Sequence, residues 1–185
     1  GVQTCALPIC RGPAVTLLAP AELAESVAVR EAIEEVDVIR FPAPRVSAWD
    51  PRNPGVRVAA YAEAIQRHAG THGWDCVHCH GVYGMVAAAG VFAGDVRRVL
   101  TVHSPAVAEQ AWNWTHGTVA DLLKLSGLPL IRRSEAAALR GATALQSLSR
   151  YTRERMATLY AAARAKPWTV IPDRKSTRLN SSHVS

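Results

Sequence analysis

Lysine is nearly missing from this chain: only three of its 21 basic residues are Lys and the rest are Arg. Together with abundant Ala, that bias fits a GC-rich coding genome rather than a physical requirement. The basic residues are not clustered among aromatics, so the composition does not point to nucleic acid. No apolar run approaches the roughly 20 residues of a membrane span. Internal repeats and low-complexity segments are absent, which excludes solenoids and fibrous arrays. Cysteine is also scarce, at four residues, too few for a disulfide scaffold.

Both ends read as foreign to the fold. Gly1 to Ile9 can be encoded by GGA GTT CAG ACG TGT GCT CTT CCG ATC. The reverse complement of that string translates to Asp-Arg-Lys-Ser-Thr-Arg-Leu-Asn-Ser, the segment Asp173 to Ser181. Nine consecutive antisense codons are not chance, and the string resembles a sequencing adapter. Residues 1–10, with Cys10 as a junction codon, and residues 173–185 are therefore expected to be adapter-derived and are set aside from fold reasoning. Removing Arg174, Lys175, Arg178 and Asp173 from the 21 basic and 15 acidic residues leaves 18 and 14, a mild net charge of +4. What remains, residues 11–172, is the size of one globular domain.

Along that core, strand and helix signals alternate. Ala14 to Ala19 is a β-rich run halted by Pro20. Residues 21–35 place Leu23, Val27 or Ala28, and Ile33 at roughly helical spacing, predicting a helix. Val36 to Phe41 alternates and ends before Pro42, predicting a strand. Pro42 to Pro54 carries four prolines and reads as a loop, and a helix is expected from near Pro54 to Gly70. Trp74 to His80 and Arg97 to His103 are apolar runs that each end in a histidine followed by a small residue. The Ala/Gly-rich segment Val82 to Gly94 between them is long enough for one helix. Ser104 to Gly127 reads as a loop with a short helix at Val119–Leu125, and Ile131 to Arg140 as a helix closed by Gly141. Ala142 to Leu148 is a strand. Ser149 is the expected N-cap of a helix over Arg150–Arg164, with Tyr151, Met156 and Leu159 or Tyr160 facing inward. Pro167 to Pro172 is a last short strand. The alternation predicts an α/β, Rossmann-like doubly wound parallel sheet.

Parallel sheets place their ligands at the carboxyl ends of their strands. His80 with Gly81 and His103 with Ser104 occupy those ends. There the backbone can approach a ligand, and a following helix N-terminus can receive a phosphate. His78 lies inside its strand and reads as a packed, hydrogen-bonded residue. Cys76-Val77-His78-Cys79-His80 matches C-x-x-C-H, the haem c attachment pattern. Such a motif needs two exposed thiols, whereas strand alternation sends Cys76, His78 and His80 to one face and Cys79 to the other. A c-type haem is thus the remote alternative, and zinc fails on the same alternation. Trp112 and Trp114 read as loop anchors. Arg150, Arg153, Arg155 and Arg164 read as one solvated helix face, with membrane-surface contact as the minority view.

Four segments carry a resemblance. Trp74 to Gly81 resembles the "D-V-V-H-x-H" strand of family 4 glycosyltransferases, and Arg98 to Ser104 resembles their "P-V-V-x-T-x-H" strand. Glu135 to Leu148 is similar to their "E-x-x-x-L-x-x-A-D-x-v-i-a-v-S" segment, and Trp168 to Pro172 to the start of "v-x-V-I-P-N-G-V-D". The resemblance implies a GT-B enzyme: two Rossmann-like domains, with acceptor bound mainly by the first and nucleotide-sugar mainly by the second. It implies transfer with retention of configuration, with no metal and no cofactor. His103 would inherit the catalytic cleft histidine, and His80, Gly81 and Ser104 would line the acceptor/donor cleft. The implied partners are a nucleotide-sugar donor and a sugar or lipid-linked acceptor, with no nucleic acid. The implied setting is cytoplasmic, with peripheral membrane contact as a secondary expectation.

The resemblance also implies that the family's first strand and glycine-rich loop precede Arg11 and that its donor-binding domain follows Pro172. The chain is therefore expected to be an acceptor-domain fragment, inactive by itself. Val15, Leu17 and the Val99–Val102 strand are expected to lack a full neighbour. The competing readings are a non-catalytic sugar- or nucleotide-binding domain and a GT-B sugar-nucleotide epimerase. If Cys76 and Cys79 are strand residues, replacing both by Ala or Val in the complete enzyme should alter stability modestly and spare turnover. Covalent haem found by mass spectrometry in cells with maturation machinery would overturn that expectation.

Overall fold

The computed structural model describes residues 14–21, 29–33, 36–44, 52–69, 74–92, 94, 96–113, 118, 121 and 125–171. The terminal segments, Leu23, Val27, Ala28, Trp114 and Pro172 lie outside them. Seven strands are described: β1 Thr16–Pro20, β2 Val29–Ile33, β3 Val36–Phe41, β4 Cys76–Cys79, β5 Arg97–Val102, β6 Ala144–Ser147 and β7 Trp168–Val170. Between them run α1 Asn53–Ala69, α2 Val82–Val91, α3 Ala106–Asn113, α4 Leu128–Gly141, α5 Arg150–Leu159 and the single turn α6 Ala161–Arg164.

One sheet has the order β4-β5-β6-β7 and is parallel throughout. A second has the order β1-β3-β2, with β1 parallel to β3 and β2 antiparallel to it. The α/β fold with parallel pairing is as expected, and three features of it are not.

The first is β2, which occupies Val29–Ile33, where a helix was expected over residues 21–35. Of the apolar positions used to infer that helix, Ile33 is the one within β2, and it is half exposed. The segment is an edge strand instead. Its Arg30 grips Asp37 through Nε and Nη2 at 2.8 and 2.6 Å, and its Glu31 accepts from Arg40 Nε at 2.7 Å across the ladder. The Arg30 bridge holds the Asp37 carboxyl below its usual range. Both pairs are solvent-facing and add little energy by themselves; they match side chains across an antiparallel register.

The second concerns β5, expected to lack a full neighbour. It pairs with β4 on one side and β6 on the other, so both of its edges are satisfied. Among the described residues, β1 pairs on one side only.

The third is the path of the chain after β5 and β6. The segment 104–127 contains α3, which the loop reading missed. The helix expected at Val119–Leu125 is described at Asp121 and Leu125, both helical, and Thr118 and Asp121 exchange the hydrogen bonds of a capping box. The helix expected over Arg150–Arg164 breaks at Tyr160, whose φ −134 and ψ 118 are extended. Its start is as expected: Ser149 accepts from the Thr152 N–H. Met156 and Tyr160 are buried, but Tyr151 is 68% exposed and does not face in. Trp112 is 81% exposed and lies in α3 rather than in a loop.

The core lies around α2. Its sequence, Val-Tyr-Gly-Met-Val-Ala-Ala-Ala-Gly-Val, is apolar on every side, as befits a helix covered all round. It is packed between α1 and α4, with Met85, Ala88, Ala138, Leu139 and Leu145 fully buried. Small residues set the spacing. A Cβ added at Gly141 would stand 2.6 Å from the Ala89 Cβ, closer than carbons tolerate. Gly141→Ala is therefore expected to destabilise the fold by about 1–3 kcal/mol through overpacking. Ala89→Gly in the same background should recover part of the loss, as read from melting temperatures.

Candidate functional site

The register of β4 on β5 builds the site. Cys79 pairs with Leu100, and the next residues of each strand leave the sheet at the same end. His78, His80 and His103 are brought together there as a ladder of rings. The His78 and His80 centroids are 4.7 Å apart, and those of His80 and His103 are 5.6 Å apart. His78 Nε2 hydrogen-bonds Thr101 Oγ1 at 2.6 Å, which makes it the packed residue the sequence suggested. His80 Nδ1 and His103 Nε2 stand 3.4 Å apart.

The tautomers follow from partner counting. His80 Nε2 is a buried atom without a hydrogen-bond partner among the described residues. A proton there would be an orphaned donor, which costs more than a bare lone pair. The proton then belongs on Nδ1 and is donated to His103 Nε2.

Gly81 and Ser104 follow the two histidines, and both face the same pocket. This cavity of about 190 Å³ is lined by His80, Gly81, Val82, His103, Ser104 and Glu135 among others. The two helix N-termini behind these residues differ. α2 has no side-chain cap at Gly81 and no acidic residue in its first turn, so its N–H groups remain open to a ligand. α3 is already occupied. The Glu135 carboxylate, from α4, accepts the Ala106 N–H at 2.6 Å and the Val107 N–H at 3.1 Å. Of the two helices that follow the histidines, α3 thus has its terminal amides filled by Glu135, and α2 has no side-chain cap. Ser104 Oγ donates to Glu109 Oε2 at 2.5 Å.

Sequence reasoning missed Glu135, Thr152 and Tyr160. Glu135 is 3% exposed and also accepts the Tyr160 O–H at 2.5 Å. Burial first, and then that bond, raise the Tyr160 hydroxyl well above its ordinary value. Thr152 Oγ1 donates to the His103 carbonyl at 3.3 Å. The only signal for Glu135 was its place at the head of the E-x-x-x-L segment; Tyr160 was legible only as one of two inward-facing helix positions, and Thr152 carried no signal. Cys76 is exposed and Cys79 buried, with Cys79 Sγ beside Gly84, so the two thiols point to opposite faces. Burial pushes the Cys76 thiol up. No group of three or more His, Cys, Asp or Glu among the described residues is arranged to hold a metal.

Burial lowers His78 to about 4, with the His80 charge adding to the effect. Burial and then the His103 charge lower His80 as well. A histidine lowered in the folded state takes up protons more readily when unfolded, so stability falls as pH drops through 6.5 toward 4. The His78 shift alone corresponds to at most about 3 kcal/mol, and on the order of half that once its exposed face is screened. Melting temperatures between pH 7.5 and 4.5 should therefore fall more steeply for the wild type than for His78→Gln, which keeps a partner for Thr101. Parallel curves would show that His78 does not carry this acid sensitivity.

The sequence matches Glycosyltransferase Family 4 over residues 10–173. Nothing among curated proteins matches it. A solved structure of sucrose-phosphate synthase from Thermosynechococcus elongatus is similar to 85% of this chain and 75% of its own length, at 12% identity and a TM-score of 0.48. With paired histidines at the carboxyl ends of β4 and β5, and a family match over nearly the whole length, this chain belongs to Glycosyltransferase Family 4.

Proposed function

We propose that this chain is the acceptor-side, N-terminal domain of a retaining GT-B glycosyltransferase, and that His103 is its catalytic histidine. One observation supports this reading above the others: His103 follows β5 at the pocket wall, with its Nε2 3.4 Å from His80 Nδ1. Transfer of a sugar breaks the bond between its anomeric carbon and the donor diphosphate, and negative charge develops on the leaving oxygen. A hydrogen bond from the His103 imidazole to a sugar hydroxyl or to that oxygen strengthens as the charge grows. His80 stands against the His103 ring and limits its rotation. Gly81, lacking a Cβ, leaves the uncapped start of α2 accessible to the substrate, and Ser104 forms the opposite lip.

The donor in this reading is a nucleotide-sugar, held mainly by a second domain, and the acceptor is a sugar or a lipid-linked sugar. No helix among the described residues is long and apolar enough to cross a membrane. Arg150, Arg153, Arg155 and Arg164 are exposed; the proposed setting is cytoplasmic, with those arginines available for contact at a membrane surface.

In the complete enzyme, His103→Ala should lower kcat and kcat/KM together, by on the order of 10²–10⁴-fold, the range for a positioned proton donor. His78→Ala serves as the contrast. Its ring bonds Thr101 within the sheet, so its loss should lower the melting temperature and leave turnover per folded molecule near normal. Full turnover in His103→Ala would remove His103 from the mechanism.

A further inference from the structure

We infer that Glu135 is a positioning residue for His103, acting through the chain that follows it; the inference rests on His103 as the ligand-facing histidine. Glu135 is buried, and it is matched by three donors: the Ala106 and Val107 amides and the Tyr160 hydroxyl. A carboxylate is acceptor-only and suits three converging donors; an amide presents an NH2 to at least one of them. The carboxylate also sits where the α3 dipole is most favourable to negative charge.

What this site anchors is specific. Ala106 and Val107 lie three and four residues beyond His103, separated from it by Ser104 and the buried Pro105, whose ring restricts the backbone between them. On the other side, the His103 carbonyl is held by Thr152 at the start of α5. Tyr160, at the extended break that ends α5, returns to Glu135 on α4. The contacts close a circuit running from His103 through Thr152, α5, Tyr160, Glu135 and the first turn of α3, and back to His103. Within it, the His103 backbone is anchored on both sides, which fixes the direction in which its side chain leaves the chain.

Glu135 also removes α3 as an anion receptor. An anionic ligand entering this pocket meets a filled helix terminus beside Ser104 and an unfilled one beside Gly81. Glu135 thus sets both the angle of the histidine and the side of the pocket on which negative charge is tolerated.

The test is NMR on the 185-residue chain with labelled histidine and backbone nitrogen, comparing wild type, Glu135→Gln and Tyr160→Phe. In Glu135→Gln, the Ala106 and Val107 amides should exchange at least about tenfold faster. The His103 ring resonances should move, while β5 amides stay protected. Tyr160→Phe keeps the carboxylate and removes one donor, so it should shift the His103 ring in the same direction by less. It also carries the test if Glu135→Gln fails to fold. A His103 ring signature unchanged in whichever variants fold would overturn the proposal and leave Glu135 a structural cap. This readout needs no turnover. A His103→Ala enzyme that remains active would sink the catalytic reading, with the positional coupling measured separately.

Discussion

Parallel pairing of β4 with β5 is the constraint on which the rest of the site depends. The Cα partners along this ladder, such as Cys79 and Leu100, are 21 positions apart, whereas the side-chain contacts His78–Thr101 and His80–His103 span 23. Side chains lean along the strand, so each contact reaches two residues past its backbone partner. Two rungs of one face are thereby joined, one within the sheet and one just beyond it. A slip of one residue would turn the histidines to the other face and bring Cys79 out of the core. The apolar packing of α2 against α1 and α4 opposes that slip.

Two buried titratable groups illustrate opposite solutions to one problem. His78 is half covered and answers the loss of solvent by remaining neutral, paired with a neutral hydroxyl. Glu135 is more deeply covered and keeps three donors around its oxygens. The first solution costs nothing near neutrality. The second requires three separate segments of chain to converge, and so it organises the structure around the pocket rather than filling a gap in it.

Much of this was legible in the sequence because it depends on local pattern. Strand β3 follows the alternating run Val36–Phe41 to the residue. The placement of His80 and His103 at neighbouring strand ends is legible because each closes an apolar run before a small residue. β2 was not, since an exposed edge strand has no apolar period to betray it; its pairing is set by Arg30, Glu31, Asp37 and Arg40 acting across the ladder. The break at Tyr160 was hidden for a related reason. Residues 150–164 favour a continuous helix locally, and the interruption accompanies a hydroxyl bond to a carboxylate 25 residues away. Glu135 itself looks like any surface glutamate until its three partners are assembled in space.

The edge position of β2 has a consequence for motion. Both faces of this strand are largely exposed, and among the described residues its ladder runs to β3 alone. Releasing it uncovers little apolar surface, so its opening belongs to the low-energy end of the fluctuations available to a native protein. The histidine ladder belongs to the other sheet, where β5 is paired on both edges. The two sheets can therefore breathe on different timescales. Chain can peel and re-form at β2 many times while the spacing between His80 and His103 holds still.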